Sequence, residues 1–101
     1  MTEPTTNAFG NVVAGPFNRV IWKYILAYPA DGLDMPSGAQ ILAVGQQRGM
    51  VVLWAGVDPD MPTEHRNIQA IPTGGEINHP AAYHGTIQMP GGIVWHIVET
   101  Q

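Results

Sequence analysis

The feature that most restricts this chain is the stretch 41–57, ILAVGQQRGMVVLWAGV. Two short apolar runs rich in β-branched residues flank a polar join, Gln46-Gln47-Arg48-Gly49, whose glycine tolerates positive φ. That is β-hairpin chemistry. Pairing outward from a four-residue loop sets Val44 opposite Val51, Leu42 opposite Leu53 and Ile41 opposite Trp54. Alternation then places Leu42, Val44, Val51 and Leu53 on one face, and Ile41, Ala43, Val52 and Trp54 on the other. Both faces are apolar. A strand pair wetted on one side alternates apolar with polar, so this hairpin needs cover on both sides, from the fold or from a partner subunit.

At 101 residues the chain is one domain, with enough length for a single core. Charged residues make up 12% of it, against roughly 25% in ordinary soluble domains. With 45% apolar residues, a homo-oligomer that hides one apolar face is the simplest expectation. A surface coated by neutral Thr, Asn and Gln is the alternative.

The net charge is −4, and the four cations are Arg19, Lys23, Arg48 and Arg66. Polymeric nucleic acid requires several clustered phosphate contacts, which this set does not supply. A small anion needs only one or two arginines and backbone N–H groups, so a nucleotide-sized ligand stays open. Cysteine is absent, which removes disulfides, thiolate nucleophiles and Cys-based zinc sites. The longest apolar run, Met50–Val57, is too short to span a bilayer. The N-terminus has no signal-peptide pattern, and the expected location is the cytosol.

Residues 1–18 hold Thr, Asn, Gly and Pro without an apolar period and read as an arm, flexible or docked through Phe9, Val12, Val13 and Phe17; residues 19–101 form the single β domain. Val20–Leu26, VIWKYIL, is a strand with Val20, Trp22, Tyr24 and Leu26 on one face and Lys23 on the other. Turn chemistry follows in 28–33, and Met35-Pro36-Ser37-Gly38 fits a type I turn. Asp58-Pro59-Asp60-Met61-Pro62 is a second break, with Asp58 placed to cap it. Residues 63–66 suit one helical turn, 65–71 a modest strand, and 72–75 a tight loop. Residues 78–82 suit one further turn.

The last unit, 83–89 and 92–99, flanks Pro90-Gly91, a type II turn pattern. Counting back pairs Ile87 with Val94, Gly85 with His96 and Tyr83 with Val98. The other face then joins Thr86 to Trp95 and His84 to Ile97, leaving Trp95 among polar neighbours. Packing one face into the core leaves Ile93, Trp95 and Ile97 for a subunit contact. The expected architecture is all-β, a small barrel or sandwich of about six or seven short antiparallel strands with at most one helical turn.

Catalytic chemistry finds little support. The one serine, Ser37, lies in a turn without a Gly-x-Ser-x-Gly context, so a Ser or Cys hydrolase is excluded. His65, His79, His84 and His96 are scattered without zinc-ligand spacing. Asp58 and Asp60 read as caps rather than as a carboxylate pair. No enzyme, cofactor or metal is expected. Thr73-Gly74-Gly75 is better placed for binding, because consecutive glycines after a strand aim N–H groups into one concavity, with Arg66 at the far end of the same strand. Trp95, Tyr83 and His96 on the final hairpin add stacking surface and an imidazole, the latter opposite Gly85. Arg48, in the hairpin loop, is the second arginine free for phosphate.

Several of these stretches occur together in a recognisable order: Ile21-Trp22-Lys23-Tyr24, Met35-Pro36 with Gly38-Ala39, Leu53-Trp54-Ala55 with Val57-Asp58-Pro59, Thr73-Gly74, Tyr83 with Gly85-Thr86, and Val94-Trp95-His96. The combination, over about residues 20–99, resembles a family of short tailed-bacteriophage proteins of unassigned activity. It departs from that family at 72–75, where Gly75 stands in place of a histidine. The resemblance implies a host-directed role in the host cytosol. It fits an oligomeric "sponge" that sequesters a small anionic, nucleotide-like host immune signal through Arg66, Arg48, Thr73, Gly74, Gly75, Tyr83, Trp95 and His96. The alternative that it also fits is a virion accessory protein or an inhibitor that docks on a partner protein.

Overall fold

The computed structural model describes residues 5–6, 12–13, 19–27, 32–77 and 81–100. The strands in chain order are β1 (Thr5–Thr6), β2 (Val12–Val13), β3 (Val20–Leu26), β4 (Leu33–Pro36), β5 (Gln40–Gln47), β6 (Met50–Val57), β7 (Thr63–Pro72), β8 (Ala81–Gln88) and β9 (Val94–Thr100). A single 3-10 turn, Pro90–Gly92, joins the last two. β1 and β2 pair with each other. The others form two antiparallel sheets, ordered β3-β6-β5 and β4-β7-β9-β8. They stay separate, so the architecture is an open sandwich and not a barrel. Among the described residues no helix is long and apolar enough to cross a membrane. Of the expected turns at 28–33 and 78–82, residues 28–31 and 78–80 lie outside the described residues, as do the docking residues Phe9 and Phe17, whereas Leu33 begins β4 and Ala81 and Ala82 begin β8.

β6 is the middle strand of its sheet because every second side chain is apolar and of strand-forming type. Val51, Leu53, Ala55 and Val57 all face inward and are buried. β3 matches the expected pattern, with Tyr24 opposite Leu53 and Leu26 opposite Val51 on the core side. The β5–β6 connection is tighter than a four-residue loop. Gln47 pairs with Met50, leaving Arg48 and Gly49 as a two-residue turn with φ of 53° and 77°. Both values are positive, as a type I′ turn demands. Val44 therefore faces Leu53, not Val51. Between Ile41 and Ala43 the register shifts by a bulge, which extrudes Leu42 to the outer face and turns Ile41 opposite Ala55, not Trp54.

The second sheet corrects three further expectations. Residues 63–66 are the first part of β7 and pair with β4, so no helical turn forms there. Strand β4 gains its ladder from that pairing, which outweighs a weak local preference. Met35 and Pro36 belong to β4, and the turn comes one residue later: Ala39 N–H donates to Pro36 O at 3.1 Å, with Gly38 at φ 80°. In the last hairpin Met89 N–H donates to Ile93 O at 2.7 Å, closing a connection longer than a type II turn. The register moves accordingly: Gln88 faces Val94, Ile87 faces Trp95, Thr86 faces His96 and Gly85 faces Ile97. A bulge at His84 restores Tyr83 opposite Val98.

That shift turns Trp95 inward. It packs against the core beside Ile87, while Ile97 is fully buried. The C-terminal hairpin thus does not present Ile93, Trp95 and Ile97 together to a partner; of the three only Ile93 is exposed, at 53%. Met35, Leu53, Ile68 and Ile97 form the centre of the core. The sheets meet most closely between β5 and β8, where a Cβ on Gly85 would stand 2.5 Å from Val44 Cγ2. Gly85 therefore makes room for Val44 and not for the His96 ring.

Candidate functional site

Register places the side chains of the two outer faces in contrasting chemistry. On the four-stranded sheet, Asn67, Gln69 and Ile71 of β7 stand beside His96, Val98 and Thr100 of β9, and beyond them Tyr83 and Thr86 of β8. The centre of this face is a cluster of hydroxyls about one imidazole. Thr73 Oγ1 lies 2.8 Å from His96 Nε2 and Tyr83 Oη 2.7 Å from His96 Nδ1. Thr86 Oγ1 completes it through a short contact with Tyr83 Oη. A neutral imidazole donates from one nitrogen and accepts at the other, so one of the two flanking hydroxyls accepts while the other donates. The Thr73–His96 contact has the reach of a base and a hydroxyl nucleophile. Among the described residues, however, no carboxylate reaches His96 to hold an imidazolium.

Arg66 belongs elsewhere, with the inward-facing residues between the sheets. Its Nε and Nη2 donate to the two oxygens of Glu99 at 2.7 and 2.8 Å, and Nη1 donates to Ala39 O. The β8 bulge brings in His84, whose Nε2 lies 2.9 Å from Glu99 Oε1. The Arg66 fork, with help from His84, outweighs the cost of burial and holds the Glu99 carboxyl down at about 2. Glu99 in turn raises Arg66. Three of the five guanidinium N–H groups are engaged inside the fold, and the Glu99 carboxylate held against them already neutralises the charge that a phosphate would need. His65 and Asp34 make a further pair, at 2.7 Å and in water. Tyr24 has a buried hydroxyl without a hydrogen-bond partner among the described residues, and burial raises its pKa.

The glycine loop keeps its turn and loses part of its nest. Gly75 N–H donates to Pro72 O at 2.8 Å, which leaves it unable to donate to an anion. Asp58 acts as the expected cap, accepting from Asp60 N–H at 3.0 Å.

The outer face of the three-stranded sheet carries Ile21, Lys23 and Ile25 of β3, Met50, Val52 and Trp54 of β6, and the extruded Leu42. Ile21 is 68% exposed and Leu42 48%. Val52 is nonetheless buried, between Ile25 on β3 and Gly45 on β5, and Lys23 Nζ reaches across β6 to donate to Gln47 Oε1 at 3.0 Å. Its aliphatic stem thus crosses the apolar surface while the ammonium stays in water.

Two cavities flank the β5–β6 turn. One, of about 550 Å³, lies on this outer face, where Lys23, Gln46, Gln47 and Arg48 stand over Ile25 and Met50. The other, of about 470 Å³, opens at the end of the sandwich between that turn and the β8–β9 turn, against Leu26, Met89, Ile93 and Trp95. Ile25 and Met50 line both. Of the eight expected site residues the structure brings together Thr73, Tyr83 and His96, with Gly74 and Gly75 following Thr73. Arg48 and Trp95 line neighbouring cavities at the opposite sheet and the sandwich end, and Arg66 joins neither group. Thr86 and Lys23 were not expected. Thr86 was hidden by the register shift, and Lys23 by lying on a different strand from Arg48.

A family profile described as a domain of unknown function (DUF7352) matches residues 17–101. Comparison with curated proteins and with solved structures gives no match. The matched span begins just ahead of β3 and takes in both sheets, the hydroxyl cluster and both cavities, and on that extent the chain belongs to the DUF7352 family.

Proposed function

We propose that this chain is a non-catalytic binding protein for a small anionic, nucleotide-like ligand, held at the cavity between Lys23 and Arg48. The observation that carries this reading is the placement of the four cations. Arg19 donates to the carbonyls of Gly38 and Gly56 at 3.1 and 3.2 Å, and Arg66 is paired with Glu99. The remaining two, Lys23 and Arg48, line one cavity with the amides of Gln46 and Gln47. No carboxylate is among its lining residues. In a chain of net charge −4, that is a local inversion of sign, and it suits a phosphate or carboxylate.

The resemblance to tailed-phage proteins supports a host-directed role, in which capture of a nucleotide signal made by host immunity removes it from solution. The reading includes a homo-oligomer and involves no covalent step. Isothermal titration with cyclic di- and trinucleotides and ADP-ribose derivatives tests it: at least one binds, and Lys23→Ala and Arg48→Ala each weaken it about tenfold. Absence of heat with every member overturns the reading.

A protein-interaction role, as a virion accessory or an inhibitor of a host protein, is the second reading. Ile21 and Leu42, exposed on the outer face of the three-stranded sheet, support it. Presence in purified virions, or a host partner retained by Arg48→Ala, favours this role over the first.

A further inference from the structure

The two cavities differ in chemistry and share a wall. On the outer-face side, Lys23 and Arg48 supply positive charge and Gln46 and Gln47 supply amide donors. On the end side, the surface is mainly apolar, from Met50, Met89, Ile93 and Trp95. Ile25 and Met50, both exposed, form the ridge between them and touch each cavity. Each cavity is open to solvent, and ligand sites in general combine a largely apolar lining with a few convergent polar groups. Together the two supply both parts, charge on one side of the ridge and apolar surface on the other.

We propose that the cavities form one bipartite site for an amphiphilic phosphate, its anionic head between Lys23 and Arg48 and its apolar body laid over the Ile25–Met50 ridge into the groove beside Ile93 and Trp95. This rests on the anion-binding reading above and narrows it: charge alone does not suffice, and the ligand carries an apolar body next to its phosphate. An alkyl chain and a nucleotide base both satisfy that chemistry. Charge complementarity selects the occupant, since an uncharged apolar molecule would leave the Lys23–Arg48 side unused and a bare anion would leave the groove empty.

The test is isothermal titration of the full chain with inorganic phosphate, AMP, octyl phosphate and octyl glucoside, the alkyl probes kept below micelle formation. Octyl phosphate or AMP is expected to bind at least tenfold tighter than inorganic phosphate, and octyl phosphate at least tenfold tighter than octyl glucoside. Which of the two wins identifies chain or base. Arg48→Ala removes the preference over octyl glucoside, and Ile93→Asp removes the preference over inorganic phosphate. Both residues are exposed, and circular dichroism establishes that the variants stay folded.

If inorganic phosphate binds as tightly as AMP and octyl phosphate, the bipartite site is overturned while the anion-binding reading stands. If octyl glucoside equals octyl phosphate, the groove acts alone and the proposal fails. Binding of anionic phosphatidylglycerol vesicles without binding of monomeric octyl phosphate points to a membrane surface and also overturns it. No binding by any phosphate, here or in the nucleotide panel, removes both readings.

Discussion

Replacing Glu99 by Gln separates charge from shape at the centre of the inter-sheet ion cluster. Glu99 accepts both arms of the Arg66 fork and a contact from His84, and its side chain is only 19% exposed. Its carboxyl titrates near 2 instead of the ordinary 4.5. At about 1.4 kcal/mol per pH unit that gap corresponds to roughly 3 kcal/mol. The sign follows from the direction of the shift. A depressed folded-state pKa favours the folded protein above pH 4.5, and this contribution fades as pH falls to about 2. Urea unfolding at pH 7, 4.5, 3 and 2 measures it. Glu99→Gln is expected to lose about 2–3 kcal/mol at pH 7, because Arg66 keeps its charge and loses its counter-ion. Between pH 4.5 and 2 the wild type should weaken toward the variant, so that the difference closes. Parallel curves, with the same difference at pH 7 and pH 2, would refute the assignment of this stability to Glu99.

Other substitutions probe the packing and assembly. Gly85→Ala brings a Cβ within 2.5 Å of Val44 Cγ2 and should cost about 1–3 kcal/mol; adding Val44→Ala should recover part of it, and strict additivity in urea melts would count against the contact. Tyr24→Phe removes a buried hydroxyl that lacks a partner among the described residues, so stability should hold or rise by up to about 1 kcal/mol, and a loss of that size would reveal a hydrogen bond. Gly49→Ala, at φ 77°, should cost about 1 kcal/mol by straining the type I′ turn, with a matching fall in the urea midpoint. Light scattering at micromolar concentration should give at least twice the chain mass, lowered by Ile21→Lys; a monodisperse wild-type monomer would dismiss association through this face.

The β class and the strand faces were legible where the alternation is local. β3 shows it best: Val20, Trp22, Tyr24 and Leu26 share a face because nothing interrupts the two-residue period. The registers were not legible, because the turn lengths set them next to each turn and two bulges reset them further along the strands, and neither bulge has a local cause. Leu42 is extruded so that Ile41 meets Ala55 in the core, and His84 is inserted where it can reach Glu99, fifteen residues away. Arg-Gly is not the residue pair that ordinarily announces a type I′ turn, which is why the sequence points to a longer hairpin loop than the two residues that form it. The hydroxyl cluster was partly visible in Thr73, Tyr83 and His96, whereas Thr86 needed the corrected register. Arg66 illustrates a different limit. Its partner Glu99 lies 33 residues away on another strand, and no spacing rule connects them.

Lys23 bears on how assembly and ligand capture share a single sheet face. Its reach across β6 to Gln47 divides the apolar surface into two halves. Ile21 and Leu42 lie toward one end, while Ile25 and Met50 lie toward the β5–β6 turn with the cavities. A second copy seated on the first half leaves the ligand ridge open, whereas one seated on both halves competes with the ligand. Linkage makes these alternatives distinguishable, because a ligand excluded by association must dissociate the oligomer to the same extent that the oligomer weakens the ligand. Light scattering with and without octyl phosphate reads that coupling. An unchanged mass assigns assembly to the Ile21–Leu42 half, and a falling mass places Ile25 and Met50 inside the subunit contact as well as in the site.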